Sequence, residues 1–535
     1  MSARNSGELV SPKSDREAKR HLLHREEKSV QLFRAGVVGV LAGLLAVAYQ
    51  LSVAQVEALA GSLANLAKTW PVVGPILLIL STILLGGISS GLIARFAPES
   101  GCSGIPHIKA ALLHIRVIQP IRLIFAKFAG GLAALMTGMS FGREGPTIQM
   151  GASVGTWVGQ VMRVPKRSRD SLVSAGAGAG LAAAFNAPLA GFLFVMEELK
   201  REMSAITYGS ALIASVASVA VTRMLLGQHN SFSLVFRGET PLRVLPQVAV
   251  LGAVAGILGV LFNKCILGVS EVRIRLRMPK WMFGGLVGGL AGAALVFWPA
   301  ITGGGHSLAE SVLSGNLNSS HLLMFAIVLF MGKLLLTAGS YGTGLPGGIF
   351  APILVLGSLV GLAFGIIVHQ VIPATPFSIQ GFATIGMACL LAGSVRAPLT
   401  GVVLIVEMTG EYGLLYALLV GAFVADFVAG AVKDHPIYEA LMERDLKGSK
   451  LDVTPDAEPI LVDVLIEPHS RMDGRRVKDL QLPQGAILAT LERSSGHVVP
   501  GGLTVLRAGD MVTLMIEGDK PELGRFLYEA SKGPS

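Results

Sequence analysis

Apolar runs of membrane-spanning length recur through most of this chain, and no other feature restricts its fold as much. They cover about residues 35–60, 72–96, 204–226, 245–270, 321–338 and 350–372. A helix needs about 20 apolar residues to cross a bilayer. Within hydrocarbon only helices and closed barrels satisfy every backbone group. Alternating strand patterns are absent from these runs, so helices are expected and a barrel is not. Several runs are short, or are cut by Gly and Pro, which points to helices broken inside the membrane. Only 15% of the residues are charged and the mean hydropathy is +0.62, against roughly 25% charged in soluble domains. The expected class is an all-α polytopic membrane protein embedded in a lipid bilayer.

Charge sits mainly outside the runs. The first 34 residues carry eight Lys/Arg against five Asp/Glu. The apolar stretch behind them is too long for a cleavable signal peptide and lacks a small-residue cleavage site. Residues 1–33 are therefore expected to be a basic cytoplasmic segment, amphipathic if helical, with the N-terminus in the cytoplasm. The net charge of +9 fits such flanks. No aromatic-basic interleaving accompanies it, so no nucleic-acid partner is expected. Cys102, Cys265 and Cys389 show no pairing or metal spacing, and neither a metal nor a cofactor is expected.

The apolar part repeats itself. Asn186-Ala187-Pro188-Leu189-Ala190-Gly191, running on to Glu197, recurs 210 residues later as Arg396-Ala397-Pro398-Leu399-Thr400-Gly401, running on to Glu407. Separately, Gly142, Pro146, Gly151 and Gly155 return as Gly348, Pro352, Gly357 and Gly361 at an offset of 206. Two motifs at nearly one offset indicate a duplicated unit of about 200 residues, with repeats at about 34–226 and 245–432. Duplicated membrane folds put their site where Gly/Pro-interrupted helices of the two halves meet, commonly with inverted topology. Glu197 and Glu407, at matching repeat positions, are expected to be structural.

Three helix starts carry chemistry. In Phe141-Gly142-Arg143-Glu144-Gly145-Pro146, the glycines let a helix begin with its free N–H groups facing outward. Such a start attracts anions. A carboxylate supplied by the same sequence, Glu144, would occupy the anion's seat. Burial acts against its charge and the helix start acts for it, so the group is poised to change protonation. Gly101-Cys102-Ser103-Gly104-Ile105-Pro106 offers the Ser103 hydroxyl. Gly347-Gly348-Ile349-Phe350-Ala351-Pro352 offers only backbone N–H groups. Neutral donors suit a monovalent anion that must leave quickly.

These residues resemble the CLC family of chloride channels and chloride/proton exchangers over about residues 34–445. Ser103 lies in what is similar to the family's GSGIP signature, Glu144 in GREGP, and Ile349 and Phe350 in GxFxP, while Pro436-Ile437-Tyr438 resembles the segment with the pore tyrosine. The resemblance implies that chloride is held by the Ser103 and Tyr438 hydroxyls and the Ile349 and Phe350 amides. It makes Glu144 the gating and proton-transfer glutamate, and places the inner proton-transfer glutamate of exchangers at Glu198. It also implies a homodimer with one pathway per subunit in a bacterial inner membrane. The serine, where some relatives carry proline, implies chloride over nitrate. Three departures stand out. Cys102 replaces a glycine, which stiffens the loop. His107 and Lys109 stand where the family usually has acidic residues, either drawing anions to the inner mouth or forming a solvated face.

Other patterns carry less. Gly342–Gly347 fits GxGxxG without a strand before it or a ribose-binding acid after it. Gly87–Gly91 and Gly151–Gly155 fit GxSxG, but two hits in so glycine-rich a chain indicate close helix packing, and His369 is tied to neither serine. No enzyme is expected. From about 450 the composition turns soluble. Strand patterns at 460–467, Ala486–Leu491 and Met511–Ile516 alternate with helix-like Arg475–Leu480 and Pro521–Tyr528, with a turn at Ser494-Ser495-Gly496. Their order resembles the TrkA-C domain, the C-terminal half of potassium-channel RCK modules, which implies a small cytoplasmic α/β regulatory domain over 450–535 with a small ligand or a pairing role. The whole is expected to exchange chloride for protons. The alternatives are a passive voltage- or pH-gated chloride channel on the same fold, and a membrane-anchored sensor working through its C-terminal domain.

Overall fold

A computed structural model of the chain describes residues 12–200, 205–228, 232, 240–316, 321–447, 460–480, 482, 486–493, 496–516 and 530–531. Eight helices in these residues are long and apolar enough to cross a membrane. The chain is a multi-pass membrane protein.

Two series of eight helices follow one another. The first is α1 (Pro12–Lys68), α2 (Val73–Phe96), α3 (Ile105–Leu112), α4 (Pro120–Met136), α5 (Glu144–Val161), α6 (Lys166–Phe185), α7 (Pro188–Phe194) and α8 (Ala205–Leu226). The second is α9 (Leu245–Arg275), α10 (Lys280–Phe297), α11 (His306–Leu313), α12 (Leu322–Gly342), α13 (Phe350–Val371), α14 (Ile379–Val395), α15 (Pro398–Thr409) and α16 (Leu415–Ala431). A last helix, α17 (Ile437–Lys447), returns to pack on α3. The basic N-terminal segment is not a separate element: from Pro12 onward it is continuous with the first span. Residues 1–11 lie outside the described residues.

Short and long helices alternate in the same way in both series. At eight residues, α3 and α11 are each about 12 Å long, too short to cross, and each starts behind a left-handed glycine, Gly104 or Gly305. Asn186 and Arg396, 210 apart, both take positive φ (58° and 67°) at the ends of α6 and α14, and an Ala-Pro pair then opens the next helix. The repeated glycines lie where helices cross. A Cβ on Gly151 would overlap the Gly176 carbonyl, and one on Gly357 would come within 2.5 Å of the Gly386 carbonyl.

Contacts between the series are exchanged reciprocally. The Gly142 N–H donates to the Gly348 carbonyl and the Gly348 N–H to the Gly142 carbonyl, both at 2.8 Å. Glu407 accepts from the Leu189 and Ala190 N–H groups at 3.1 and 2.9 Å. Glu197 accepts from the Leu399 and Thr400 N–H groups at 3.1 and 2.7 Å, and from the Thr400 hydroxyl at 2.7 Å. Such exchange between equivalent residues is what a two-fold relation between repeats requires, and the carboxylates fill the anion-favouring starts of α15 and α7.

The C-terminal part has its own apolar core around Val464, Leu491, Val512 and Leu514. Strands β1 (Ile460–Leu465), β2 (Ala486–Arg493), β3 (Gly496–Val498) and β4 (Met511–Ile516) form an antiparallel sheet of order β1-β4-β2-β3. The three expected strands are there, and the short β3 is added. Arg475–Leu480 is only a 3₁₀ turn at Val477–Asp479, because the Val477 and Lys478 N–H groups are taken by the carbonyls of Thr504 and Gly502. The helix expected at Pro521–Tyr528, and most of the turn at Ser494-Ser495-Gly496, lie outside the described residues.

Candidate functional site

Three helix-start loops are stitched into one patch of backbone. The Cys102 N–H donates to the Leu345 carbonyl and the Gly347 N–H to the Cys102 carbonyl, both at 3.0 Å. The Gly142–Gly348 pair joins the third loop. Cys102 takes a positive φ of 55°, a conformation uncommon for a residue with a Cβ. Its carbonyl is held by the buried Lys127, whose ammonium donates to it at 2.6 Å and to the Ser100 carbonyl at 3.0 Å. Packing here leaves no room for side chains: a Cβ on Gly145 would come within 2.8 Å of the Gly348 Cα and 2.9 Å of the Ser103 carbonyl.

The patch brings four of the expected anion-binding residues together. Ser103 and Tyr438 are fully buried, and apart from each other neither hydroxyl has a hydrogen-bond partner among the described residues. The two hydroxyls are neighbours. Two hydroxyls that have only each other still leave one donor unused, and an unsatisfied buried polar group costs about 1–3 kcal/mol, so the pair marks a place built to meet an acceptor. The Tyr438 ring stacks on Phe350 at 6.3 Å and 17°, which ties α17 to the start of α13. Phe194 of α7 packs edge-on against the Phe350 ring at 6.0 Å. Ile349 and Phe350 open α13, in the turn whose N–H groups lack intrahelical acceptors.

Glu144 is the first residue of α5 and 2% exposed. Its carboxylate is faced by its own N–H and by that of Ala351 in α13, while Oε2 has no partner among the described residues. The carboxylate therefore sits at the start of the other repeat's broken helix, in the seat expected for an anion. A Cβ on Gly142 beside it would overlap Oε2 and come within 3.0 Å of the Ala351 Cβ, so a side chain there would push the carboxylate aside. A cavity of about 60 Å³ opens against Glu144, lined also by Arg143, Glu57, Phe232 and His306.

Glu198 lies in a π-helical turn, Val195–Lys200, that ends α7. Such turns are rare and cluster at functional sites. Its side chain is fully buried and pairs with Lys109 at 2.7 Å. Lys109 is therefore no solvated face: it is 7% exposed and committed to a carboxylate. His107 is half-buried, with Nδ1 3.4 Å from the Gln149 amide nitrogen. Two residues that sequence reasoning missed are Lys127 and Lys333, which lie 206 apart, the offset of the glycine motif. Lys333 donates to the Ile301 and Gly303 carbonyls at 3.2 and 3.0 Å, holding the loop before α11 as Lys127 holds the loop before α3. A lone lysine in an apolar run that recurs at the repeat offset was the available signal.

Residues 85–430 match the family model described as voltage gated chloride channel. The chain belongs to the CLC family. It is 39% identical over 432 residues to the H(+)/Cl(-) exchange transporter ClcA of Vibrio vulnificus, covering 78% of this chain and 91% of that one. Identity to the ClcA transporter of Klebsiella pneumoniae is 38% over 451 residues, with 83% and 94% covered. Among solved structures, a slow cyanobacterial Cl-/H+ antiporter superposes with a TM-score of 0.74 at 34% identity, over 78% of this chain and 98% of that one. Beyond the CLC region, residues 461–520 match the TrkA-C domain model.

Proposed function

We propose that this CLC chain is a secondary active chloride/proton antiporter. The observation that carries this is the pairing of an acceptor-seeking patch with two buried carboxylates. Ser103, Tyr438, Ile349 and Phe350 supply neutral donors for chloride, which is the substrate, and no cofactor enters the cycle. Glu144 competes with chloride for the start of α13 while charged, and leaves it when protonated. Glu198 supplies the second proton site, beside the fifth residue of α3 and so about 6 Å along that helix from its start. The relatives named above as H(+)/Cl(-) exchangers support exchange over passive conduction.

In this proposal the protein is a homodimer with one pathway per subunit, in a bacterial inner membrane with both termini cytoplasmic. Residues 450–535 form a cytoplasmic regulatory appendage that takes a small ligand or pairs with a second copy.

The test is chloride-driven proton movement in reconstituted vesicles. Uphill proton transport is expected; chloride flux with no proton moved would leave a passive channel. Glu144→Gln should keep chloride flux and lose proton coupling, and Glu198→Gln should stop proton flux alone. Normal proton pumping by Glu198→Gln would remove that residue from the pathway.

A further inference from the structure

The ammonium of Lys109 lies between two buried carboxylates, 2.7 Å from Glu198 and 3.9 Å from Glu439. All three residues are at most 7% exposed, and they come from three elements: the π turn, α3 and the first turns of α17. Charge in such a setting is tolerated only while paired, because removing one partner leaves the other's desolvation cost uncompensated. A glutamate that takes up a proton here abandons its lysine, and the geometry supplies a second acceptor for that lysine.

We propose that Lys109 is a positioning residue of the proton half of the cycle, passing its ion pair from Glu198 to Glu439 whenever Glu198 takes up a proton. The proposal rests on Glu198 lying on the proton path. With Lys109 on Glu198 the carboxylate is held charged and turned toward α3. Proton arrival neutralises Glu198, and the ammonium moves about an ångström toward Glu439 so that it stays paired. Release of the proton restores the first pairing. The neighbour of Glu439 in α17 is Tyr438, so the same short helix carries one contact of the anion patch and the second partner of the lysine.

Other charged groups lie on the same elements among the described residues, Glu443, Arg444 and Asp445 further along α17 included, with Arg444 4.0 Å from Asp445. On α3 there is His107, turned to Gln149 of α5. In the π turn Glu197 is bound to the start of α15, and Lys200 ends the turn. On α6 Asp170 pairs with His114 at 3.2 Å and Arg169 donates to the Val164 carbonyl. Described residues of α7 contribute no titratable group, and on α17 Tyr438 faces Glu198.

Lys109 and Glu439 act on proton uptake by Glu198 in opposite senses, and this separates a charge-coupled trio from a pair that only packs. Without the lysine's charge Glu198 takes up its proton more readily; without Glu439 the lysine stays on Glu198 and proton uptake is harder. The experiment is chloride-driven proton flux in proteoliposomes over a series of symmetric pH values, each protein normalised to its own maximum. Loss of folded protein then lowers amplitude without moving the midpoint. Lys109→Gln should move the half-maximal point to higher pH by about one unit or more, at least a tenfold lower proton concentration. Glu439→Gln should move it to lower pH, and Lys109→Arg should restore the wild-type position. Unmoved midpoints, or shifts of both variants in one direction, overturn the handover. Glu198→Gln run alongside separates the two levels. If it pumps protons normally, the proposed path through Glu198 fails and the handover with it; if it stops pumping while the midpoints stay put, only the handover fails.

Discussion

The reciprocal caps provide a matched pair for measurement. Glu197→Ala removes the acceptor of two backbone N–H groups and one hydroxyl at the start of α15. Glu407→Ala removes the acceptor of two backbone N–H groups at the start of α7. A hydrogen bond to a charged group contributes about 1.5–3 kcal/mol. Bonds sharing one carboxylate are not additive, so about 3–6 kcal/mol is expected for Glu197→Ala and about 2–4 kcal/mol for Glu407→Ala. Losses of that size are a large part of the roughly 5–15 kcal/mol that keeps proteins folded. Unfolding titrations in mixed detergent micelles read the difference directly. Function should separate the pair further. Glu197 fixes the turn that carries Glu198, so its replacement should lower the number of protons moved per chloride. Glu407 is followed by Met408, and its replacement should cost stability with the ratio unchanged. Equal losses from the two variants, or a coupling ratio that falls alike in both, would refute the reasoning.

Three further outcomes are expected. Gly348→Ala would place a Cβ 2.6 Å from the Gly145 nitrogen and 3.2 Å from the Gly142 carbonyl. Overpacking of this kind costs about 1–3 kcal/mol and spreads the three loops, so chloride binding by calorimetry should weaken about tenfold or be lost. In the C-terminal sheet, Asp510 accepts from the Arg493 guanidinium at 2.7 and 2.5 Å and from the Arg507 N–H at 2.8 Å. The guanidinium holds its carboxyl below the usual carboxylate range. Stability from a depressed carboxylate is present above the unfolded value of about 3.9 and is lost as pH falls through the folded value. Asp510→Asn should therefore speed amide exchange in β2 and β4 at neutral pH, with the difference shrinking toward that acid range. Finally, a chain ending at Lys447 should still exchange chloride for protons; complete loss of flux from a stably inserted protein would favour the sensor alternative.

The apolar runs and the glycine motifs made the membrane fold and its duplication readable, because both are forced by local physics. A backbone that must touch another backbone needs glycine wherever it does so, and Gly142, Gly151, Gly348 and Gly357 announce themselves by recurring. The helix starts were readable for the same reason. The partner of Lys109 was not: Glu198 lies 89 residues away, and no local pattern distinguishes a lysine buried against a carboxylate from one on a wet face. The 3₁₀ turn at Val477–Asp479 was missed because carbonyls of a later loop capture its N–H groups, a tertiary effect. Strand β3 spans three residues, too few to show alternation.

The reciprocal caps also set an order of events in time. Glu197 is made 202 residues before Leu399, whose N–H it will accept. At about 5–20 residues per second of synthesis, it waits roughly 10–40 s for its partner. During that interval the first series can be inserted but its carboxylate has no helix to cap, and the start of α7 lacks Glu407. Neither half can finish alone. The duplicated chain is thus obliged to mature as one unit, with the crossing of the two carboxylates as its final closure.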